Sequence, residues 1–482
     1  MFSRLLYPLF SALVCVGLVL PVPAQQLSLP DIGDPSLQYL GGGEQRRLGI
    51  SVLQRLRARN LVVEDAQLNE YLASIGQRIA AYAENTGDDY RFFWLDAPSI
   101  NAFAAPSGLI GVHTGLLLGT RNEDELAGVL AHEIAHVSQR HIARAYADAQ
   151  RLSLPLAAAM LASIAIAAAN SKAGQAAIAG TLAASQQHQI NFTRGNEQEA
   201  DRVGYQLLGR AGFDPNGMAS FFAYLQSLAA TSATEIPDFL RTHPRPSERF
   251  ADIENRITGE RPAPTRKSRA PLTYYLAKSR ARVLTTPNTV SLIQHFADTL
   301  QKGAYDNEIA ERYGYALALK RAGRYAEADG QIARLLKTDP DRLAFRIEAA
   351  ELALAAGDQA RAWTLFNDAR ALYADDYVLA FHFGRALATQ GNPRKAMQIL
   401  QPHLRNRPHD LPLYSLYAQA AQRAGDAAAT HAALAEYHYL NGDLKQAIEQ
   451  AELGLKKAST TPYQQAQLQA RLRQFKEEKE SE

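Results

Sequence analysis

The stretch Val129–His141, VLAHEIAHVSQRH, sets two histidines four residues apart with a glutamate beside the first. Four residues along a helix turn about 400°, so His132 and His136 fall on one face, one turn apart. Both imidazoles can then point at a single ion. Glu133 lies next to that face, within reach of a water on the ion. This is the arrangement of the zinc peptidases, in which two nitrogens hold the metal and the carboxylate takes a proton from water.

His-Glu-x-x-His is short enough to arise by chance, so a third ligand is required. The extended metzincin pattern would need Gly at 139 and His at 142. Those positions hold Gln139 and Ile142, which rejects that class. His141, followed along a continuous helix, is turned about 180° from His132 and is structural or second-sphere at most. The alternative is a glutamate on a later helix, and RGNEQEADRVG offers one. Glu197 is the candidate third ligand. Asp201, one turn on, can accept a hydrogen bond from the far nitrogen of a histidine ligand and fix its orientation. Glu199 is turned to the other side and reads as solvated. His113 and His188 read as structural.

These residues need elements to hold them. EQRRLGISVLQRLRARN and DAQLNEYLASIGQRIAAYAEN have apolar residues at helical spacing. YRFFWLDAPSINAFAAPSGLIGVHTGLL, rich in aromatics and punctuated by Pro and Gly, reads as two or three short strands of a small sheet. The His132 helix follows. LSLPLAAAMLASIAIAAANS is uncharged between Arg151 and Lys172 and borders on the length of a bilayer span. A single crossing, however, would put His132 and Glu197 on opposite sides of a membrane, so a shared metal excludes it. Residues 152–187 therefore read as a packed helical insertion, either a lid over the site or a hairpin resting on a membrane surface.

ERPAPTRKSRAPL, residues 260–272, is a Pro-rich basic linker. Beyond it the chain repeats. Gly323, Gly357, Gly391 and Gly425 recur every 34 residues, with Ala328, Ala362 and Ala396 in phase five residues after the first three. Ala316, Ala350, Gly384 and Ala418 lie seven before each glycine, and Pro340 and Pro408 lie seventeen after theirs. This is the tetratricopeptide pattern: two helices per unit, small residues where they cross, a glycine at the turn. Gly442 and Ala447 mark a shortened fifth unit. Such arrays present concave surfaces suited to peptide or protein.

The expected fold is mainly α: a zincin-type metalloprotease domain of helices and a small antiparallel sheet, followed by an α-helical tetratricopeptide-repeat solenoid. The expected division is a signal peptide at 1–24 and a metalloprotease domain at 25–259, with an insertion or lid at about 145–193. A linker at 260–272 and a repeat domain at 273–482 follow, the 34-residue units occupying about 309–444.

Lys plus Arg number 51 and Asp plus Glu 49, a balance that gives no electrostatic case for nucleic acid. The N-terminus carries Arg4, an apolar run, and Val22-Pro23-Ala24 before Gln25, which fits a signal-peptidase site rather than an uncleaved anchor. The single cysteine, Cys15, lies in the apolar run after Val14 and does not suit lipidation. A mature chain from Gln25 would carry no thiol, which excludes thiolate metal sites and redox chemistry.

Taken together, HEIAH, then NEQEAD about sixty residues on, then RTHPRPSERF, then tetratricopeptide repeats behind a signal peptide resemble the family of periplasmic β-barrel assembly-enhancing proteases (BepA-type). Its wider group includes HtpX and the CAAX prenyl protease. The resemblance covers nearly the whole mature chain. It implies one zinc ion held by His132, His136 and Glu197, with Glu133 as catalytic base and His243 as a fourth, regulatory ligand. NAFAAPSG resembles the group's substrate-side strand. A substrate would then lie extended beside Asn101, Ala102, Phe103 and Ala104 by strand addition. The resemblance further implies a plug or lid in the insertion, a place in the periplasm in association with the outer membrane, and stalled or unfolded outer-membrane proteins as substrates. The repeats would contact the β-barrel assembly machinery, and the insertion could touch a membrane surface. The competing reading is a repeat-based chaperone or adaptor with a silent protease domain. Read from its residues alone, His243 precedes Pro244 in an extended segment and is as well explained as a loop histidine.

Overall fold

The computed structural model describes residues 42–84, 89–152, 186–231, 237–243, 271–457 and 462–480. The expected signal peptide and most of the insertion and linker lie outside the described residues. No described helix is long and apolar enough to cross a membrane.

The catalytic half opens with α1 (Gly42–Ala58), the short β1 (Val62–Val63) and α2 (Ala66–Ala80). Asp65 starts α2 by accepting a hydrogen bond from the Leu68 amide at 3.0 Å. Its apolar positions Leu68, Leu72, Ile75 and Ile79 recur at three and four residues and are all buried. Strands β2 (Arg91–Leu95), β3 (Ala102–Ala105) and β4 (Leu109–His113) follow, with the short α3 (Thr114–Gly119) behind them.

The sheet order is β1-β2-β4-β3. β1–β2 and β3–β4 are antiparallel, but β2 and β4 run parallel, with Arg91 opposite Leu109 and Leu95 opposite His113. The sheet is therefore mixed rather than antiparallel. The β3–β4 hairpin turns back through Pro106-Ser107-Gly108 and inserts β4 at the centre. β4 is buried at every residue, as a central strand covered on both faces must be. That leaves β3 on the outside, paired among the described residues with β4 alone.

The helix carrying the first histidines is α4 (Glu123–Ser138). Asn122 caps it through the Glu125 amide at 2.9 Å, and three acidic residues occupy its first turn, where the helix dipole favours them. Around it stand α5 (His141–Leu152), α6 (Gln186–Arg210), α7 (Asn216–Thr231) and α8 (Asp238–Thr242). α4 is buried nearly all round because α2, α6, α7 and β3 cover it.

The second half begins with α9 (Leu272–Thr285) and α10 (Thr289–Lys302). Then come the helical pairs of the repeat: α11 (Glu308–Arg321) with α12 (Tyr325–Thr338), α13 (Leu343–Ala355) with α14 (Gln359–Leu372), α15 (Tyr377–Gln390) with α16 (Pro393–Asn406), and α17 (Leu411–Ala424) with α18 (Ala427–Leu440). The shortened unit is α19 (Leu444–Leu455) with α20 (Pro462–Glu480). Ala328, Ala362 and Ala396 are completely buried where paired helices cross. A side chain at Gly384 would meet Leu400 at 2.7 Å. Gly323, Gly357 and Gly425 take left-handed backbone at the turn (φ 74°, 85° and 77°), whereas Gly391 does not.

The two halves share a core and an ion network. Tyr274 of α9 is fully buried in the catalytic core, its hydroxyl donating to the Thr120 carbonyl at 2.7 Å. Arg280 of the same helix holds both carboxylate oxygens of Asp65 at 2.8 Å, and also Glu348 at 2.8 Å. Lys320 completes the set on Glu348 at 2.6 Å. Arg280 raises its own basicity by this company, and Asp65 and Glu348 are held below the usual carboxylate range despite burial. Further along the repeat, Arg407 at the end of α16 reaches Glu70 of α2 at 2.6 Å.

Candidate metal centre

One donor atom each from His132, His136, Glu197 and His243 lies within 4.8 Å of the others. His132 Nε2 stands 3.0 Å from His136 Nε2 and 3.4 Å from Glu197 Oε2. His136 Nε2 is 3.4 Å from Glu197 Oε1, and His243 Nδ1 is 3.1 Å from Glu197 Oε2 and 3.3 Å from His132 Nε2. In a tetrahedral site with bonds of about 2.0–2.1 Å, neighbouring donors are about 3.3 Å apart. These spacings fit one small cation. Burial pushes the His136 imidazole down to about 3, against the pull of Glu197, so it is neutral and free to donate its lone pair at physiological pH.

The three histidines are held from behind. His132 Nδ1 lies 3.0 Å from Asp201 Oδ1, with both residues buried. Glu197 and Asp201 reach the two sides of this imidazole from successive turns of α6. That helix comes close because position 204 is glycine. A Cβ there would sit 3.1 Å from the Ala131 carbonyl and the His132 amide, which are backbone atoms that cannot yield. His243 follows α8 and stacks on Phe239 with centroids 4.5 Å apart. The segment is tied to the sheet: the Phe239 amide donates to the Ile100 carbonyl at 3.0 Å, and Thr242 Oγ1 donates to Asn101 Oδ1 at 3.3 Å.

His136 has a support that a continuous helix would not provide. α4 ends at Ser138, Arg140 adopts left-handed backbone (φ 55°), and α5 starts afresh at His141. The chain therefore swings His141 back, and its Nδ1 lies 2.8 Å from His136 Nδ1. The half-turn separation expected along one helix does not hold. Glu199 is likewise not simply solvated: its Oε2 meets His141 Nε2 at 3.2 Å and Arg144 Nη2 at 2.8 Å. Nothing in the residue types announces this break, since Arg is an unusual choice for positive φ.

Glu133 is buried beside the cluster. Its Oε1 is 3.4 Å from His243 Nε2 yet has no hydrogen-bond partner among the described residues. A buried carboxylate oxygen without a donor is costly unless something polar completes it, and a water beside the cation would. Of the strand residues, Asn101 and Ala102 are buried, while Phe103 and Ala104 are half-buried. Asn101 Oδ1 accepts from the Ala102 amide and Thr242, so this side chain braces β3 against the His243 segment. The outer edge of β3 has no strand partner among the described residues. His113 lies apart from the cluster, its Nδ1 on Ser99 Oγ at 2.8 Å. His188 is among the residues whose side chains are not described.

A buried histidine–glutamate cluster on crossed helices, beside a carboxylate with one oxygen lacking a hydrogen bond and a strand with a free outer edge among the described residues, belongs to a metallopeptidase, here framed by helical repeats. Residues 66–257 match the model of peptidase family M48. The chain is 35% identical over 457 residues to the β-barrel assembly-enhancing protease of Yersinia pestis, covering 94% of this chain and 93% of that one. It is 34% identical over 482 residues to the protein of the same name from Escherichia coli K12, covering 99% and 98%. A mitochondrial metalloendopeptidase, OMA1 of Schizosaccharomyces pombe, is 30% identical over 190 residues, covering 38% of this chain and 51% of that one. The chain belongs to the β-barrel assembly-enhancing protease family within peptidase family M48.

Proposed function

We propose that the protein is a zinc endopeptidase of the bacterial periplasm that degrades misfolded or stalled outer-membrane proteins and assists their assembly. The observation that carries the reading is the convergence of His132, His136, Glu197 and His243 on one cation-sized point beside the unpartnered Glu133 oxygen. The names of the relatives supply the link to β-barrel assembly. On this reading residues 25–259 form the protease unit, and residues 273–482 form the repeat unit that meets the assembly machinery. The segment 1–24 directs export, and the insertion lies near the site or on a membrane surface.

His132, His136 and Glu197 would hold the ion, with Asp201 fixing the His132 ring. Zinc, when bound, supplies Lewis acidity toward the scissile carbonyl and makes water more acidic. Glu133 takes the proton of the attacking water and passes it to the departing amine. Substrate backbone pairs with the free edge of β3 at Phe103 and Ala104, a mode that reads main chain more than sequence and suits unfolded chains. His243 lies where the open fourth position would be, so it either latches the resting site or, once displaced, stabilises the oxyanion of the carbonyl under attack.

The test is zinc content together with casein turnover, for the full chain and for Glu133→Gln. Bound zinc with turnover that Glu133→Gln abolishes supports the reading. Bound zinc without cleavage under any condition favours a chaperone or adaptor with a silent site, which the position of His243 inside the cluster makes the second reading. His243→Ala, compared at equal zinc occupancy, separates its two roles: a faster initial rate means a latch, a rate lower by about a hundredfold means oxyanion support, and no change eliminates both.

A further inference from the structure

A cavity of about 1030 Å³ opens between the catalytic half and the last repeats. One wall is α1 with the tip of the β3–β4 hairpin at Ala105, Pro106 and Ser107, together with His136 and Arg140. The opposite wall comes from α16, α17, α18 and α20. The cavity therefore begins at a donor of the metal cluster and at the end of the free strand edge, and it runs out along the repeat domain.

Its charge is one-sided. Arg46, Arg57, Arg91, Arg140, Arg405 and Arg471 line it, against only Asp89 and Glu436 among the lining carboxylates. Glu436 takes a two-pronged hydrogen bond from Arg471 at 2.6 Å, whereas Asp89, 3.6 Å from His409 Nε2 and largely exposed, is the carboxylate that supports the charge on Arg91. Arg57 is answered by Glu64 at 3.0 Å. Arg46, Arg91 and Arg405 make no ion pair among the described residues, and the buried Nε of Arg91 has no hydrogen-bond partner there. Burial, then repulsion from Arg57 and Arg46, opposes the charge on Arg91, with Asp89 the opposing help. Among the described lining residues six arginines face two carboxylates, and this surplus in a concave wall creates a field for an anion, strengthened by the low-dielectric surroundings.

The same walls carry Tyr414 and the exposed Tyr463, which offer faces with polar tips, while Tyr417 is buried and Tyr439 stacks on Phe475. A single small anion would leave most of this volume and these faces unused. An extended peptide fills both, and one that passes Ala105, Pro106 and Ser107 continues from the end of the β3 edge. We propose that this cavity is a substrate-binding site in which the repeat domain holds an acidic, aromatic-tolerant stretch of polypeptide while the adjoining stretch lies along β3 toward the metal centre. The proposal rests on the peptidase reading for the identity of its ligand as polypeptide. It assigns the repeats a direct part in choosing what is cut, through charge at the far end of the chain being read.

The probe is a fluorescein-labelled peptide rich in glutamate, paired with a twin in which every glutamate is glutamine. Binding is followed by anisotropy on the full zinc-loaded chain bearing Glu133→Gln, so that nothing is cleaved. The acidic peptide should bind about tenfold more tightly than its twin, and the difference should shrink as salt is raised. Adding Arg46→Gln and Arg405→Gln, two exposed positions without ion pairs, should erase that preference without changing the thermal midpoint. Arg370→Gln, exposed on α14 and outside the cavity, should leave it intact. Equal binding of the twins, a preference that survives the double substitution, or binding of phosphatidylglycerol vesicles in place of the peptide would each overturn the proposal. The two readings fail separately. Arginine-dependent peptide binding in a protein that cleaves no casein refutes the peptidase and leaves the anion-binding site standing. Casein cleavage with equal binding of the twins refutes the site alone.

Discussion

Replacing Asp201 by asparagine keeps the size of the side chain and removes only its charge and its fixed acceptor character. The carboxylate stands 3.0 Å from His132 Nδ1 in a buried setting, so it dictates which nitrogen of His132 carries the proton. With Nδ1 protonated, Nε2 offers its lone pair to the cation. Asparagine can turn its amide either way. When the NH2 group faces Nδ1, the proton is forced to Nε2 and the ligand is lost. Removing such a support weakens metal affinity by about 10- to 100-fold, or about 1.4–2.7 kcal/mol. Glu199→Gln is the internal comparison, since Glu199 acts on His136 only through His141 and its side chain is 29% exposed. Its effect should stay within about threefold, as for other partly solvated charges. The assay is competition for zinc against a chelator of known affinity, with the thermal midpoint of each apo-protein as a fold control. Unchanged affinity in Asp201→Asn, or a larger loss in Glu199→Gln, would refute this account of how the ligands are oriented.

Gly204→Ala should destabilise by about 1–3 kcal/mol, because the new Cβ meets α4 backbone at 3.1 Å, whereas Gly195→Ala in the same helix meets nothing within 4 Å and should be neutral or slightly stabilising. Urea midpoints of the two variants decide it, and equal midpoints would contradict the close crossing. Arg280→Met leaves buried Asp65 without its cation and Glu348 with Lys320 alone, and should cost about 3–5 kcal/mol in a thermal or urea melt, an unchanged midpoint showing that the network does not join the halves. Burial lowers the His113 imidazole to about 4. The unfolded chain, with the ordinary value near about 6.5, therefore binds more protons over the window between them. The stability from this group is fully present above about 6.5 and is lost as pH falls toward 4. Urea midpoints measured from pH 7 to 4 should fall less steeply for His113→Leu than for the natural chain, and parallel slopes would exclude the contribution.

The sequence by itself determined the parts that follow from local spacing. Four residues on a helix bring His132 and His136 to one face, and Glu197 and Asp201 to another, whatever surrounds them. A 34-residue recurrence of glycine and alanine specifies helix pairs for the same reason, and Ala328, Ala362 and Ala396 are indeed the buried crossings. Tertiary structure decided what depends on chain reversal and distant contact. The parallel pairing of β2 with β4 arises from a hairpin folding inward, which alternation along each strand does not reveal. The return of His141 to His136 depends on one left-handed residue, Arg140, whose side chain gives no sign of it. The shared core at Tyr274, the Asp65–Arg280–Glu348 network and the arginine-lined cavity join residues hundreds of positions apart. Their partners are selected by how the repeats curve around the catalytic half, and no periodicity in the chain encodes that pairing.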